Sequence, residues 1–259
     1  MPASKPLLVS GVSVTITSAD PLVSAHQVVK NYLALRPLRI EHLAVSAGEI
    51  VSLVGLDAQA AEMLVGLLTG AIVPDRGDVR LFGRSTRDVA DSDAWLAMLD
   101  GVGILTDRAV LIGQFTVEQN LAMPFTLAVD PVADDVKPTV VSLARELGFR
   151  DRDLIGQVGQ SPAEVQALVR LGRALALNPK LLLAEHPSAT LPRETVKGFA
   201  GTIGRLSRAR GTAVLAITAD EVFTDALGGK ILRFDPSTGV LRPRRSWSKL
   251  FGRGSASDR

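Results

Sequence analysis

The chain has 259 residues, 46% of them hydrophobic and 22% charged, enough for one large domain or two small ones around a packed core. It contains no cysteine, so a disulfide framework, a thiol nucleophile and a zinc–thiolate site are excluded, and a reducing intracellular location is the natural expectation. The formal net charge of +2 argues against the broad basic field of a nucleic-acid binder, and nowhere do about eighteen apolar residues follow one another as a membrane-crossing helix requires.

In chain order, residues 1–22 read as an N-terminal extension without the continuous apolar core of an export signal. Val12 to Thr17, Leu38 to Val45 and Val79 to Phe82 alternate as half-buried antiparallel strands do. Gly48-Glu49 leads into the apolar run Ile50 to Val54 and then Gly55, the pattern of a fully buried parallel strand, and Ala60 to Leu68 follows with helical spacing. Further buried strands are expected at Gly103 to Leu105, Lys180 to Ala184 and Ala213 to Thr218, with helices at Glu164 to Leu177 and Arg193 to Ala209. Strands alternating with helices imply an α/β parallel sheet beside a β-rich first section. From Val117 to Leu154 the strand signal gives way to a helical pattern, notably Lys137 to Leu147, stopped by Gly148. The stretch 242–259 reads as a flexible tail with six basic residues and Trp247, Leu250 and Phe251 among them, which suits a solvated terminus or a weak contact with anionic lipid.

Three framework segments, Gly48 to Gly55, Pro74 to Gly83 and Arg173 to Leu183, with Phe115-Thr116-Val117-Glu118-Gln119-Asn120 between them, resemble in order and spacing the nucleotide-binding domains of ATP-binding-cassette (ABC) transporters. The resemblance runs from about Val23 to Leu241. It implies a P-loop NTPase-like fold with a mostly parallel sheet core, an N-terminal antiparallel β subdomain and a helical lobe at about residues 117–172. It also implies ATP and Mg2+ as ligands, a homo- or heterodimer partner subunit, and an integral membrane permease that keeps the chain at the cytoplasmic face of the membrane.

The family's chemistry is largely replaced. A phosphate-binding loop has the form G-x-x-x-x-G-K-[ST], because glycine amides approach the phosphates, lysine neutralises them and a hydroxyl reaches magnesium. Here the loop is Gly55-Leu56-Asp57-Ala58-Gln59-Ala60-Ala61-Glu62-Met63. Ala60 stands for the second glycine, where a β-carbon would crowd a loop of positive φ, Ala61 for the lysine and Glu62 for the hydroxyl. Glu62 is expected in the first helical turn, where its carboxylate would occupy the anion site itself and make tight Mg-ATP binding improbable.

By the same resemblance, the glutamine that reaches magnesium falls on Asp107, and the LSGGQ signature falls on Ser161, Pro162, Ala163, Glu164 and Val165. Pro162 reads as a first-turn proline with Ser161 as the helix cap. The Asp-Glu pair for magnesium and general base is Glu185-His186, the D-loop aspartate is Pro192, and the switch histidine is Ala219. Glu185 and His186 are therefore weak catalytic candidates, and no catalytic set is intact. Tyr32 falls where the family stacks an aromatic ring on adenine, and it also suits plain rim contacts. No residue set has metal-ligand spacing.

Three functions fit these residues. The chain is a non-hydrolysing subunit that pairs with an active one or with its own copy and couples to a permease, or a working ATPase subunit using Tyr32, the remaining loop amides and Glu185, or a regulatory scaffold that retains the fold without transport.

Overall fold

The structure, a computed structural model, describes residues 20–244 apart from Leu33 and Ala90. The strand expected at Val12 to Thr17 and the basic tail beyond Arg244 lie outside the described residues.

The first section is a four-stranded antiparallel sheet in the order β2-β1-β4-β5, built from β1 (Val23–Lys30), β2 (Leu38–Val45), β4 (Arg76–Leu81) and β5 (Arg84–Ser85). Alternation sends Val23, Ala25, Val28, Ile40, Leu43 and Val45 inward. The β1–β4 register slips between His26 and Val29, where Gln27 adopts a φ of 50°. Gly77 lies against that bulge at φ +83°, and a Cβ there would come within 2.3 Å of the Gln27 carbonyl oxygen, so only glycine fits.

The second sheet has six strands in the order β10-β9-β3-β8-β7-β6. Its members are β3 (Ile50–Val54), β6 (Val102–Thr106), β7 (Leu181–Glu185), β8 (Ala213–Ile217), β9 (Lys230–Phe234) and β10 (Leu241–Pro243). All neighbours are parallel except β9 and β10. Every residue of β3, β7 and β8 is buried, because helices and the antiparallel sheet cover both faces, which is why these strands read as unbroken apolar runs.

Two cores result. One face of the parallel sheet (Val51, Leu53, Leu183, Leu215) meets the antiparallel sheet and helix α1 (Ala58–Leu68). The opposite face (Leu182, Ala184, Val214, Ala216) meets α5 (Ala163–Leu175), α6 (Arg193–Arg210) and α7 (Glu221–Leu227). Helices α3 (Val117–Ala122) and α4 (Lys137–Glu146) extend the second core through Leu121, Val140 and Leu143, giving the helical lobe. One short helix, α2 (Ser92–Leu99), was not expected from the sequence. Among the described residues no helix is long and apolar enough to cross a membrane.

The start of α5 corrects one expectation. Pro162 sits at the N-cap itself with ψ 154°, and the Ser161 hydroxyl donates to the Gln157 carbonyl at 2.9 Å instead of accepting from the helix.

Candidate functional site

The loop after β3 is short. Gly55 takes φ +101°, and a Cβ there would stand 3.0 Å from the Phe234 carbonyl oxygen, so this glycine is required by geometry. Asp57 then caps α1. Its Oδ1 accepts the amide of Ala60 at 2.8 Å and its carbonyl accepts the amide of Ala61 at 2.9 Å. Ala58, Ala60 and Ala61 are helical, so the expected crowding of a positive-φ position by Ala60 does not occur. Ala60 and Ala61 instead turn their methyl groups into the first core. Met63 is partly buried against the same core.

Glu62 also differs from expectation. It is the fifth residue of α1, beyond the first turn, and at the helix start the Asp57 carboxylate takes the Ala60 amide. The Glu62 carboxylate reaches sideways to the guanidinium of Arg108, just beyond the end of β6. The same guanidinium meets Glu185 at the end of β7, Nη2 to Oε2 at 2.6 Å. Glu185 is 5% exposed, so its charge needs a partner. Burial works against the Arg108 charge, and the hydrogen bonds it donates to Glu185 and Glu62 outweigh it, so its pKa is raised above the ordinary arginine value. Asp107, the expected position, is exposed, and its neighbour is the residue that reaches into the site.

Around this cluster the remaining candidates are placed by different elements. His186 follows β7 at φ 42°, its amide donates to the Ile217 carbonyl at 2.8 Å, and its buried Nε2 has no hydrogen-bond partner. Ala219 is exposed, and Asp220 beside it caps α7 through the amides of Val222 and Phe223 and accepts the Ser188 hydroxyl at 2.9 Å. Pro192 holds the N-cap position of α6. Ser161 to Val165 lie at the start of α5 on the helical-lobe side, with Glu164 in its first turn and Val165 against the second core.

Tyr32 lines a cavity of about 330 Å³ with Arg36, Leu38, Gly55, Asp57 and Phe234. Burial first, and then the Asp57 charge, raise its pKa above the usual phenol value. The segment before it is held by Asp75, whose Oδ2 accepts the Asn31 amide at 2.7 Å and whose Oδ1 accepts Lys30 Nζ at 2.9 Å. The Asn31 amide, and then the Lys30 hydrogen bond, bring the Asp75 pKa down to about 2.

Sequence reasoning missed Asp57 and Arg108. Asp57 carried a signal, a capping residue directly before a run of helix formers. Arg108 carried none, since Glu185 is 77 residues away. Among the described residues no group of three or more His, Asp or Glu side chains is arranged for a metal ion. A magnesium nucleotide does not fit this set: no lysine lies in the loop Gly55 to Met63, Asp57 takes the Ala60 amide, and Arg108 holds both carboxylates.

No family model matches the sequence. The chain is 28% identical over 194 residues to the lipoprotein-releasing system ATP-binding protein LolD of Geobacter metallireducens, covering 75% of this chain and 85% of that protein. It is 30% identical over 180 residues to the methionine import ATP-binding protein MetN of Caulobacter vibrioides, covering 68% of this chain and 52% of that one. Its fold matches cbiO1 from Clostridium perfringens, part of the ABC transporter complex cbiONQ, with a TM-score of 0.72 at 14% identity over 86% of this chain and 88% of the other. It also matches the ATP-binding cassette MJ0796, a dimer in a post-hydrolysis state bound to ADP and Pi, with a TM-score of 0.70 at 21% identity over 86% and 98% of the two chains. The chain is thus similar in sequence to ATP-binding proteins of ABC transport systems, and it has the fold of ABC transporter ATP-binding domains.

Proposed function

We propose that the chain is an ABC transporter nucleotide-binding subunit whose ATPase chemistry has been lost. It pairs with a competent subunit or with its own copy and couples the pair to a membrane permease from the cytoplasmic side. The observation that carries this reading is that internal side chains hold the groups a nucleotide would use: Asp57 takes the Ala60 amide, and Arg108 takes Glu62 and Glu185.

A phosphate brought within about 4 Å of the Asp57 carboxylate would be repelled by roughly 4 kcal/mol at an effective dielectric near 20. That corresponds to roughly a thousandfold in affinity. Ala61 offers no compensating charge. The reading of a working ATPase requires those same amides and Glu185, and is therefore disfavoured. Coupling needs none of this chemistry. The surface left for it is the groove between β6, α2 and α5, where Leu96, Ile104 and Leu177 are exposed at 55%, 39% and 60%.

Calorimetric titration with Mg-ATP, together with a phosphate-release assay, tests the loss of chemistry. The unaltered chain is expected to show no saturable binding tighter than about 1 mM and no turnover. An Ala61→Lys, Glu62→Ser variant is expected to gain weak binding. Micromolar binding or turnover by the unaltered chain would overturn the reading. The transport half is tested by detergent extraction from native membranes, where the tagged chain should be recovered with a multi-span permease identified by mass spectrometry. Recovery of the chain only in the soluble fraction would refute coupling.

A further inference from the structure

The two carboxylates of the site belong to different elements and would repel each other without a cation between them. Glu62 comes from α1 and Glu185 from the end of β7, and each meets its own nitrogen of the Arg108 guanidinium. The arginine is delivered by a segment that is itself fixed: the Ala109 carbonyl accepts Arg170 Nε at 3.0 Å and the Val110 carbonyl accepts Arg173 Nη1 at 2.7 Å, both from α5. The backbone just after Arg108 is thus held by α5, and the half-exposed guanidinium faces two carboxylates. Its planar fork suits bridging two acceptors, and its charge persists at every pH at which the protein is folded.

We propose that Arg108 is a resident counter-cation that takes the place of a divalent ion. It neutralises Glu62 and Glu185, closes the site to metal, and ties the phosphate-loop helix to β7 whether or not a nucleotide is present. The inference extends the non-catalytic reading of the same site, and it concerns metal alone, so it stands or falls without any nucleotide measurement.

Binding of Mn2+ to the full chain, followed by electron paramagnetic resonance at matched ionic strength, tests it. The wild-type chain should leave Mn2+ free. Arg108→Ala should bind one Mn2+ at least about ten times more tightly than wild type, and the added Glu185→Gln substitution should abolish the gain. In EDTA the Arg108→Ala chain should melt roughly 2–4 °C below wild type and recover in Mn2+. Arg108→Gln, which preserves most of the side-chain shape, serves the same purpose should the alanine variant not fold. Wild-type binding of Mn2+ as tight as that of the variant would overturn the inference. So would a folded Arg108→Ala or Arg108→Gln chain that gains no affinity.

Discussion

The carboxylate of Asp57 accepts the backbone amide of Ala60 at 2.8 Å, so the helix that would greet a phosphate is capped by its own loop. Replacing Asp57 with alanine leaves an amide without that partner and should destabilise the chain by about 1 kcal/mol, with Asp57→Asn close to wild type. Urea denaturation monitored by circular dichroism measures both. Equal stability of Asp57→Ala and wild type would remove the cap from the account.

Asp75 gives a pH dependence with a defined sign. Its folded pKa, about 2, lies below the ordinary 3.8, so its contribution is fully present above pH 4 and is lost as the pH falls towards 2. Asp75→Asn should therefore be less stable than wild type at pH 7, and the gap should narrow as the pH falls from 4 to 3. Urea midpoints at pH 7, 4 and 3 check this; a gap that widens on acidification contradicts it.

Arg210, near the end of α6, ties three elements together. It binds Glu146 of α4 at 2.6 Å, the Leu175 carbonyl at the end of α5 at 2.8 Å, and the side chain of Asn178 at 3.3 Å. Arg210→Ala should cost about 1–2 kcal/mol, because the charge-assisted bonds to Glu146 are lost, while the Leu175 carbonyl keeps the Asn178 amide at 3.1 Å. Lysine at this position should restore less than half of that, since one ammonium cannot span the three acceptors. The comparison is a pair of chemical denaturation curves.

Gly77 and Gly83 separate two effects that sequence treats alike. Both have positive φ, yet a Cβ at Gly83 meets nothing within 4 Å, whereas at Gly77 it would strike the Gln27 carbonyl. Alanine should cost about 1 kcal/mol at Gly83 and roughly 2–3 kcal/mol at Gly77. Similar losses at both sites would mean that the bulge in β1 relaxes freely.

His186→Glu places a carboxylate after β7 at one position only. Phosphate release should remain at background, because Ala61, Asp57 and Arg108 are untouched by the change. Measurable turnover would show that a single residue had silenced the site.

The framework was legible because its signals are local. Leu38–Val45 alternates, Ile50–Val54 and Leu181–Glu185 are continuous apolar runs, and Gly148 at φ +94° follows α4 as the helix stop expected there. The site was misread at the start of α1 and at the end of β6. Glu62 was assigned to the helix start because the position of the cap was not recognised; once Asp57 starts α1, the helical rotation carries Glu62 past the amides. Arg108 was hidden for a deeper reason, since its partners meet it only after β6 and β7 pair in parallel, Thr106 beside Glu185.

The segment Phe115 to Asn120 now has a physical reason. Asn120 is fully buried, its side chain accepts the Ile112 amide at 3.0 Å, and it donates to the carbonyls of Ile112 at 3.1 Å and Thr116 at 3.0 Å. Arg108 at one end and Asn120 at the other thus fasten the stretch between them to β7 and to the start of α3, while Val110 on it stays 76% exposed.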